Sequence, residues 1–158
     1  MTLRSVMQIH HATAPEHVTA IRVLFQEYAA WLRADICLQG FGDELATLPG
    51  AYALPRGRLL LAVGTDGPVG CVALRPAGDT RCEMKRLFVR SAYRGQGVGR
   101  ALARRALTEA KAAGYSIMIL DTLPFMERAI QLYETLGFAR SEGSGALSQE
   151  TISMELHL

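Results

Sequence analysis

Metal and redox chemistry have little to work with in this chain. Its 158 residues include only three cysteines and four histidines. Cys37, Cys71 and Cys82 are odd in number and lack the paired spacing of a zinc site or a redox motif, so they read as reduced, buried apolar residues. His10, His11, His17 and His157 show no ligand spacing either, and no metal is expected. Charge of one sign is also missing. Seventeen basic residues against 15 acidic ones leave a net charge of +2, too little to draw in nucleic acid or an anionic membrane, which points to a small partner. No apolar run is long enough to span a bilayer, and Met1 to Arg4 lead into alternating sequence without a basic segment or an apolar signal core. The expectation is a cytoplasmic protein with no membrane partner. Repeats, low-complexity tracts and linkers are absent as well. What is plentiful is apolar surface: 49% hydrophobic residues over this length supply one continuous core and one domain, residues 1–158.

Read along the chain, Val6 to Ala12 alternates as a short strand. Thr13 and Glu16 have capping-box spacing and Pro15 suits a first helical turn, so a helix is predicted from there to about Asp35, with Val18, Ile21, Leu24, Phe25, Tyr28 and Leu32 on one face. Residues 36–58 are punctuated by glycine and proline and should form a loop-rich lid with one short helix near Asp43 to Leu48. Leu59 to Gly64 and Val69 to Arg75 read as strands joined by a turn at Thr65, Asp66, Gly67 and Pro68, and Arg81 to Arg90 as a third. Helical spacing returns from Val98 to Ala113, with Leu102, Ala106, Ala110 and Ala113 on one stripe and Gly114 as terminator. A strand at Ser116 to Thr122, a helix at Phe125 to Leu136 closed by Gly137, and strands at Phe138 to Glu142 and Thr151 to Leu158 complete the order. This is a mixed α/β (α+β) pattern, mostly antiparallel, with a parallel pair around the long helix.

Arg94-Gly95-Gln96-Gly97-Val98-Gly99 lies between a strand and a helix, where backbone amides and the helix dipole can hold an anion without a lysine. A plain strand-to-helix turn would account for the glycines alone. The dinucleotide pattern fails because Arg100 stands where it needs glycine, and the triphosphate loop fails for want of Gly-Lys followed by Ser or Thr. The segment does resemble the Arg/Gln-x-x-Gly-x-Gly/Ala pyrophosphate signature of GNAT acyltransferases, through Arg94, Gly97 and Gly99 and the preceding strand Glu83 to Val89. Strand Ile117 to Asp121 and helix Ala129 to Phe138 resemble the family's next two elements, so the likeness covers about residues 82–140.

The resemblance implies a GNAT fold: a central, mostly antiparallel, splayed sheet of about seven strands flanked by about four helices, with acetyl-CoA as cosubstrate. It implies that Arg94, Gly95, Gln96, Gly97, Val98, Gly99, Arg100 and Ala101 hold the diphosphate. Backbone groups of Leu87, Phe88 and Val89 would hold the pantetheine arm and the thioester carbonyl, on a strand that bulges near its end. An oxyanion donor there is typically worth ~3 kcal/mol. The attacking amine must be neutral, and for a lysine-like group this costs ~4 to 5 kcal/mol at neutral pH. Glu83 stands at the offset of the glutamate base in the family's histone-acetylating members, eleven residues before Arg94; a strand carboxylate paired with Lys85 or Arg86 is an equally good reading. Tyr133 matches the tyrosine that protonates the departing thiolate in many relatives, against a packed tyrosine as the bland reading. Met126 departs from the family, standing where many relatives have an asparagine that contacts the pantetheine amide.

Acceptor recognition by the first helices would fall to Tyr28, Trp31, Asp35, Phe41, Asp43, Glu44 and Tyr52, which suit a cation but equally describe a solvated acidic face with core aromatics. The function implied is N-acetylation of a primary amine, small-molecule or peptide, by direct attack in a ternary complex, with no acyl-enzyme. Cys82 is not read as a nucleophile, having no histidine near it in sequence. The rival is a non-catalytic acyl-CoA sensor or scaffold on the same fold, to which Met126 lends weight. Nucleic-acid binding through Arg100, Arg104 and Arg105 ranks third, those arginines being better read as flanking the CoA phosphates or facing solvent. A terminal strand would offer an edge for a homodimer.

Overall fold

A computed structural model describes residues 7–32, 40–141 and 151–158. Strand β1 (Gln8–His11) leads into helix α1 (Pro15–Leu32), and α2 (Phe41–Thr47) precedes β2 (Arg58–Gly64), β3 (Gly67–Pro76) and β4 (Arg81–Val89). Then come α3 (Val98–Ala112), β5 (Ile117–Thr122), α4 (Glu127–Thr135), β6 (Ala139–Arg140) and β7 (Ile152–His157). Among the described residues there are therefore seven strands and four α-helices, in the order the sequence suggests. Val6, Asp35, Cys37 and Glu142 lie outside the described residues.

The strands form one sheet in the order β1-β2-β3-β4-β5-β7-β6, and only β4 and β5 run parallel. Of the two terminal strands, β1 is an edge, whereas β7 lies between β5 and β6 and offers none. Helix α1 starts one residue later than a capping box would have it. The first helical bond runs from Val18 N–H to the Ala14 carbonyl, so Ala14 holds the cap position and Thr13 bonds no backbone amide through its side chain.

Alternation along each strand feeds two cores, one on each face of the sheet. On one face Leu60, Val72, Leu74, Cys82 and Met84 pack under α3, whose Leu102, Ala103, Ala106 and Ala110 are fully buried. The small alanines let the helix settle close to the sheet. On the other face Leu59, Leu61, Cys71 and Ala73 meet Ile21, Leu24, Phe25 and Tyr28 of α1. Each large apolar side chain so buried contributes about 1.5–3 kcal/mol.

Strand β4 changes phase part-way. Its pairing with β3 runs Cys71 to Phe88 and Ala73 to Lys85, which leaves one extra residue on β4, and Arg86 sits there at φ 60°. A bulge of this kind turns the following side chains over. Cys82 and Met84 face α3 before it, while Phe88 joins the α1 core after it and Leu87 and Val89 pack on the α3 side. On the opposite edge, β4 pairs with β5 only at Arg81, Cys82 and Glu83. Beyond Glu83 the strands part, although β4 runs on to Val89 and β5 to Thr122. The sheet is thus splayed at its centre.

Candidate active site

The splay opens two adjoining spaces. A cleft of about 590 Å³ lies between the end of β4, the Arg94–Arg100 loop and the start of α4. A smaller chamber of about 230 Å³ lies deeper along β4, between Glu83, Lys85, Tyr28 and Tyr133. Leu87 and Met126 line both and so stand at the boundary.

The cleft's loop is built by glycines at positive φ. Gly97 caps α3 with φ 84°, and no side chain caps the helix in its place. As a result the backbone N–H groups of Gly95, Gln96, Gly97, Val98, Gly99 and Arg100 donate to no group among the described residues. A helix leaves its first amides unpaired, and its dipole adds roughly half a positive charge at this end. Ala101 requires a correction: its N–H bonds to the Gly97 carbonyl at 3.0 Å, because it is the first amide far enough into the helix to find a carbonyl four residues back. Arg94 N–H is spent on Ser91 at 3.4 Å. Leu87, Phe88, Val89, Arg94, Gly95, Gly97, Val98, Gly99 and Arg100 all line the cleft. Gln96 does not, and its side chain donates to the Ala92 carbonyl. The Arg94 guanidinium lies over the rings of Trp31 and Phe88, at 5.0 and 5.7 Å from their centroids, and donates to the Val89 carbonyl.

Tyr133 and Glu83, distant in sequence, line the same chamber. Tyr133 is buried on α4 with its ring edge-on to Phe138, and burial, with Tyr28 close by, raises its pKa beyond the ordinary tyrosine range. Its hydroxyl therefore stays protonated. Glu83 is held by Arg75, its cross-strand neighbour on β3, which donates from Nε at 2.9 Å to Oε1 and brings Nη2 within 2.7 Å of the same oxygen. The sequence pointed to Lys85 or Arg86 as the partner instead. Arg86 is spent elsewhere: its side chain is buried and forms a two-point ion pair with Glu44 of α2, at 2.9 and 3.1 Å. Phe41 lies against the guanidinium at 5.2 Å from the ring centroid.

Burial alone would raise the pKa of Glu44, but the hydrogen bonds and charge of Arg86 outweigh it and hold the carboxyl below its usual value. The Tyr52 hydroxyl is buried beside this carboxylate without a well-aligned hydrogen bond, and burial followed by the Glu44 charge raises its pKa. A carboxyl depressed in the folded state stabilises it above the unfolded pKa of about 4.3, and that contribution is lost as pH falls through the folded value. Glu44→Gln is therefore expected to be less stable than the parent by about 3 kcal/mol at pH 7, since it removes the two-point ion pair from a buried guanidinium. The gap should narrow below pH 4, as read from urea midpoints across pH.

Of the residues expected to recognise an acceptor, Tyr28 lines the chamber, but Trp31 lines the cleft instead. Glu44 is neutralised by Arg86, Tyr52 is core, and Asp43 is exposed. Asp35 lies outside the described residues. Arg100 lines the cleft and donates to Thr135, Arg104 is exposed, and Arg105 pairs with Glu109. Cys82 is buried and its thiol is pushed up to about 11, which keeps it protonated and a poor nucleophile. Burial raises the Cys71 thiol further. Among the described residues no group of three or more His, Cys, Asp or Glu side chains could hold a metal ion, and no helix is long and apolar enough to cross a membrane.

A splayed sheet with an uncapped glycine loop at its mouth agrees with the sequence comparison, in which the Acetyltransferase (GNAT) family matches residues 15–138. The chain belongs to the GNAT family. It is 36% identical over 140 residues to an uncharacterized N-acetyltransferase of Schizosaccharomyces pombe, covering 87% of this chain and 86% of that one. Its fold matches the crystal structure of an acetyltransferase from Streptococcus agalactiae with a TM-score of 0.76 at 24% identity, over 96% of this chain and 98% of the other. An acetyltransferase from Salmonella typhimurium, solved with its cofactor acetyl-CoA, matches with a TM-score of 0.66 at 18% identity, over 97% and 94% of the two chains. As a GNAT acetyltransferase the protein is an acyltransferase, with the mixed α/β fold of that family. Met126, the departure from the GNAT pattern, precedes α4 at the boundary of cleft and chamber, and its sulfur accepts from the Thr122 hydroxyl at 3.6 Å.

Proposed function

We propose that this chain, as one domain spanning residues 1–158, transfers the acetyl group of acetyl-CoA to a primary amine by direct attack in a ternary complex. The observation that carries this reading is the run of six uncommitted amides from Gly95 to Arg100, five of whose residues line a cleft whose other wall is β4 beyond its last pairing with β5. Unpaired amides at a helix N-terminus fit a diphosphate, and the unpaired edge of β4 fits an amide-bearing pantetheine arm. The bound cosubstrate supplies an activated thioester. Everything else is done by the chain's own groups.

The amides from Gly95 to Arg100 bind the diphosphate, and Arg100 adds positive charge beside it. Leu87 and Met126, at the boundary, position the acyl end where the chamber begins. Glu83 takes the proton of the attacking amine, directly or through a water; both Arg75 contacts are to Oε1, which leaves Oε2 for this task. As the nitrogen–carbon bond forms and the carbon–sulfur bond breaks, the Tyr133 hydroxyl donates to the departing sulfur. Glu83 and Tyr133 line one chamber, which supports catalysis over a sensor role.

Thiol release from acetyl-CoA across a broad amine panel tests the reading, with acceptor-dependent turnover expected. For the base, Glu83→Gln is expected to lower kcat/KM by about 10²-fold and to change its pH profile. Parent-like activity at every pH would leave Glu83 a purely structural partner of Arg75.

A further inference from the structure

Three basic side chains line the chamber, and two of them are already in ion pairs. Arg75, Lys85 and Arg86 line it, against Glu83 and Asp121. Glu83 is bound by Arg75, and Asp121 is exposed and accepts a hydrogen bond from Ser153 at 2.6 Å. Arg86 is committed to Glu44. Lys85, by contrast, makes no ion pair and no hydrogen bond among the described residues, although it is partly buried and shares the chamber with two arginines. Burial, followed by the charge of Arg86, lowers its pKa, with the nearby carboxylates only partly offsetting this. A lysine so placed is stabilised by any anion that enters the chamber.

We infer that the amine acceptor carries a carboxylate, and that Lys85, supported by Arg75 and Arg86, binds it; this rests on the acetyltransferase reading above. The geometry suits a small amino acid. Lys85 and the boundary residue Leu87 line the same chamber on either side of the bulge, so one short molecule can place its carboxylate at Lys85 and its amine at the acyl end. A chamber of about 230 Å³ is smaller than sites that take drug-sized ligands, which agrees with an acceptor of that size. Of the acidic and aromatic residues that the sequence offered as a cation site, Glu44 is neutralised by Arg86 and Tyr52 is core.

The test compares kcat/KM for free amino acids, the same amino acids as amides, and the corresponding decarboxylated amines, using thiol release from acetyl-CoA. The best amino acid is expected to exceed its own amide at least 30-fold. Lys85→Met should abolish that preference, raising KM for the amino acid at least 10-fold while changing kcat/KM for the amide less than threefold; Lys85→Arg should restore part of it. Equal or better turnover of amides and plain amines by the parent protein overturns the inference whether or not the variants fold, and leaves the acetyltransferase reading standing. Loss of amide and amino-acid turnover alike in a folded Lys85→Met also overturns it. Failure of the acetyltransferase reading looks different, because no amine of any kind then drives thiol release.

Discussion

Tyr133→Phe is expected to reduce kcat by about 10²-fold while changing the Kd of CoA by less than about threefold. The split follows from where the hydroxyl lies. Tyr133 is buried on α4 and lines the chamber, whereas the loop proposed to bind the diphosphate lies at the cleft, to which Tyr133 does not contribute. Losing one oxygen leaves the ring contact with Phe138 in place, so the fold and the cleft should persist. What is lost is a donor to sulfur as negative charge builds there, a contribution made only during reaction. Its raised pKa means the group is protonated at every working pH, so the parent's pH profile should carry no limb from Tyr133. Equal losses in kcat and in CoA affinity would remove the general-acid role and leave a packing residue.

The largest effect on binding is expected at Gly97. With φ at 84°, this residue makes the turn into α3 beside the cleft, where the amides before and after it find no acceptor among the described residues. A β-branched side chain is strongly disfavoured in that region, at a cost of roughly 1–3 kcal/mol, and the loop should rearrange to escape it. Gly97→Val is therefore expected to weaken CoA binding by at least about 10²-fold. Lost stability alone could mimic this. Gly114→Val provides the control, since Gly114 has φ 90° at the other end of α3, away from the cleft. It should lower the melting temperature by a similar amount and leave CoA affinity unchanged. Comparable affinity losses in both variants would mean that the loop has no special part in binding.

Much of this was legible in the letters, and the reason is locality. The α3 stripe, the strand alternation and the glycine loop are patterns within a few residues, and the structure places Val98–Ala112, Arg58–Gly64 and Ile117–Thr122 within one residue of the expected bounds. What stayed hidden depends on neighbours from elsewhere. Glu83 and Lys85 alternate onto one face but lie about 7 Å apart, whereas a cross-strand partner comes within about 5.5 Å. Arg75 stands opposite Glu83 for that reason, and counting back from the turn after Pro76 would have found it. The bulge at Arg86 carries no glycine to announce it, because its cost is met by the ion pair to Glu44 on a helix 42 residues away. That single irregularity turns Leu87 and Val89 onto the α3 side, and it leaves the charge of Arg86 close to Lys85. The capping box failed on a different point: Pro15 takes the first helical position, which puts the cap at Ala14 and leaves Thr13 one residue too early.

The most direct check is an amide-resolved NMR titration of the folded protein with CoA. Saturable shifts of the N–H resonances from Gly95 to Arg100, with Ala101 moving little, are the predicted result. CoA that fails to bind, or binds while leaving those six resonances where they were, would contradict the account.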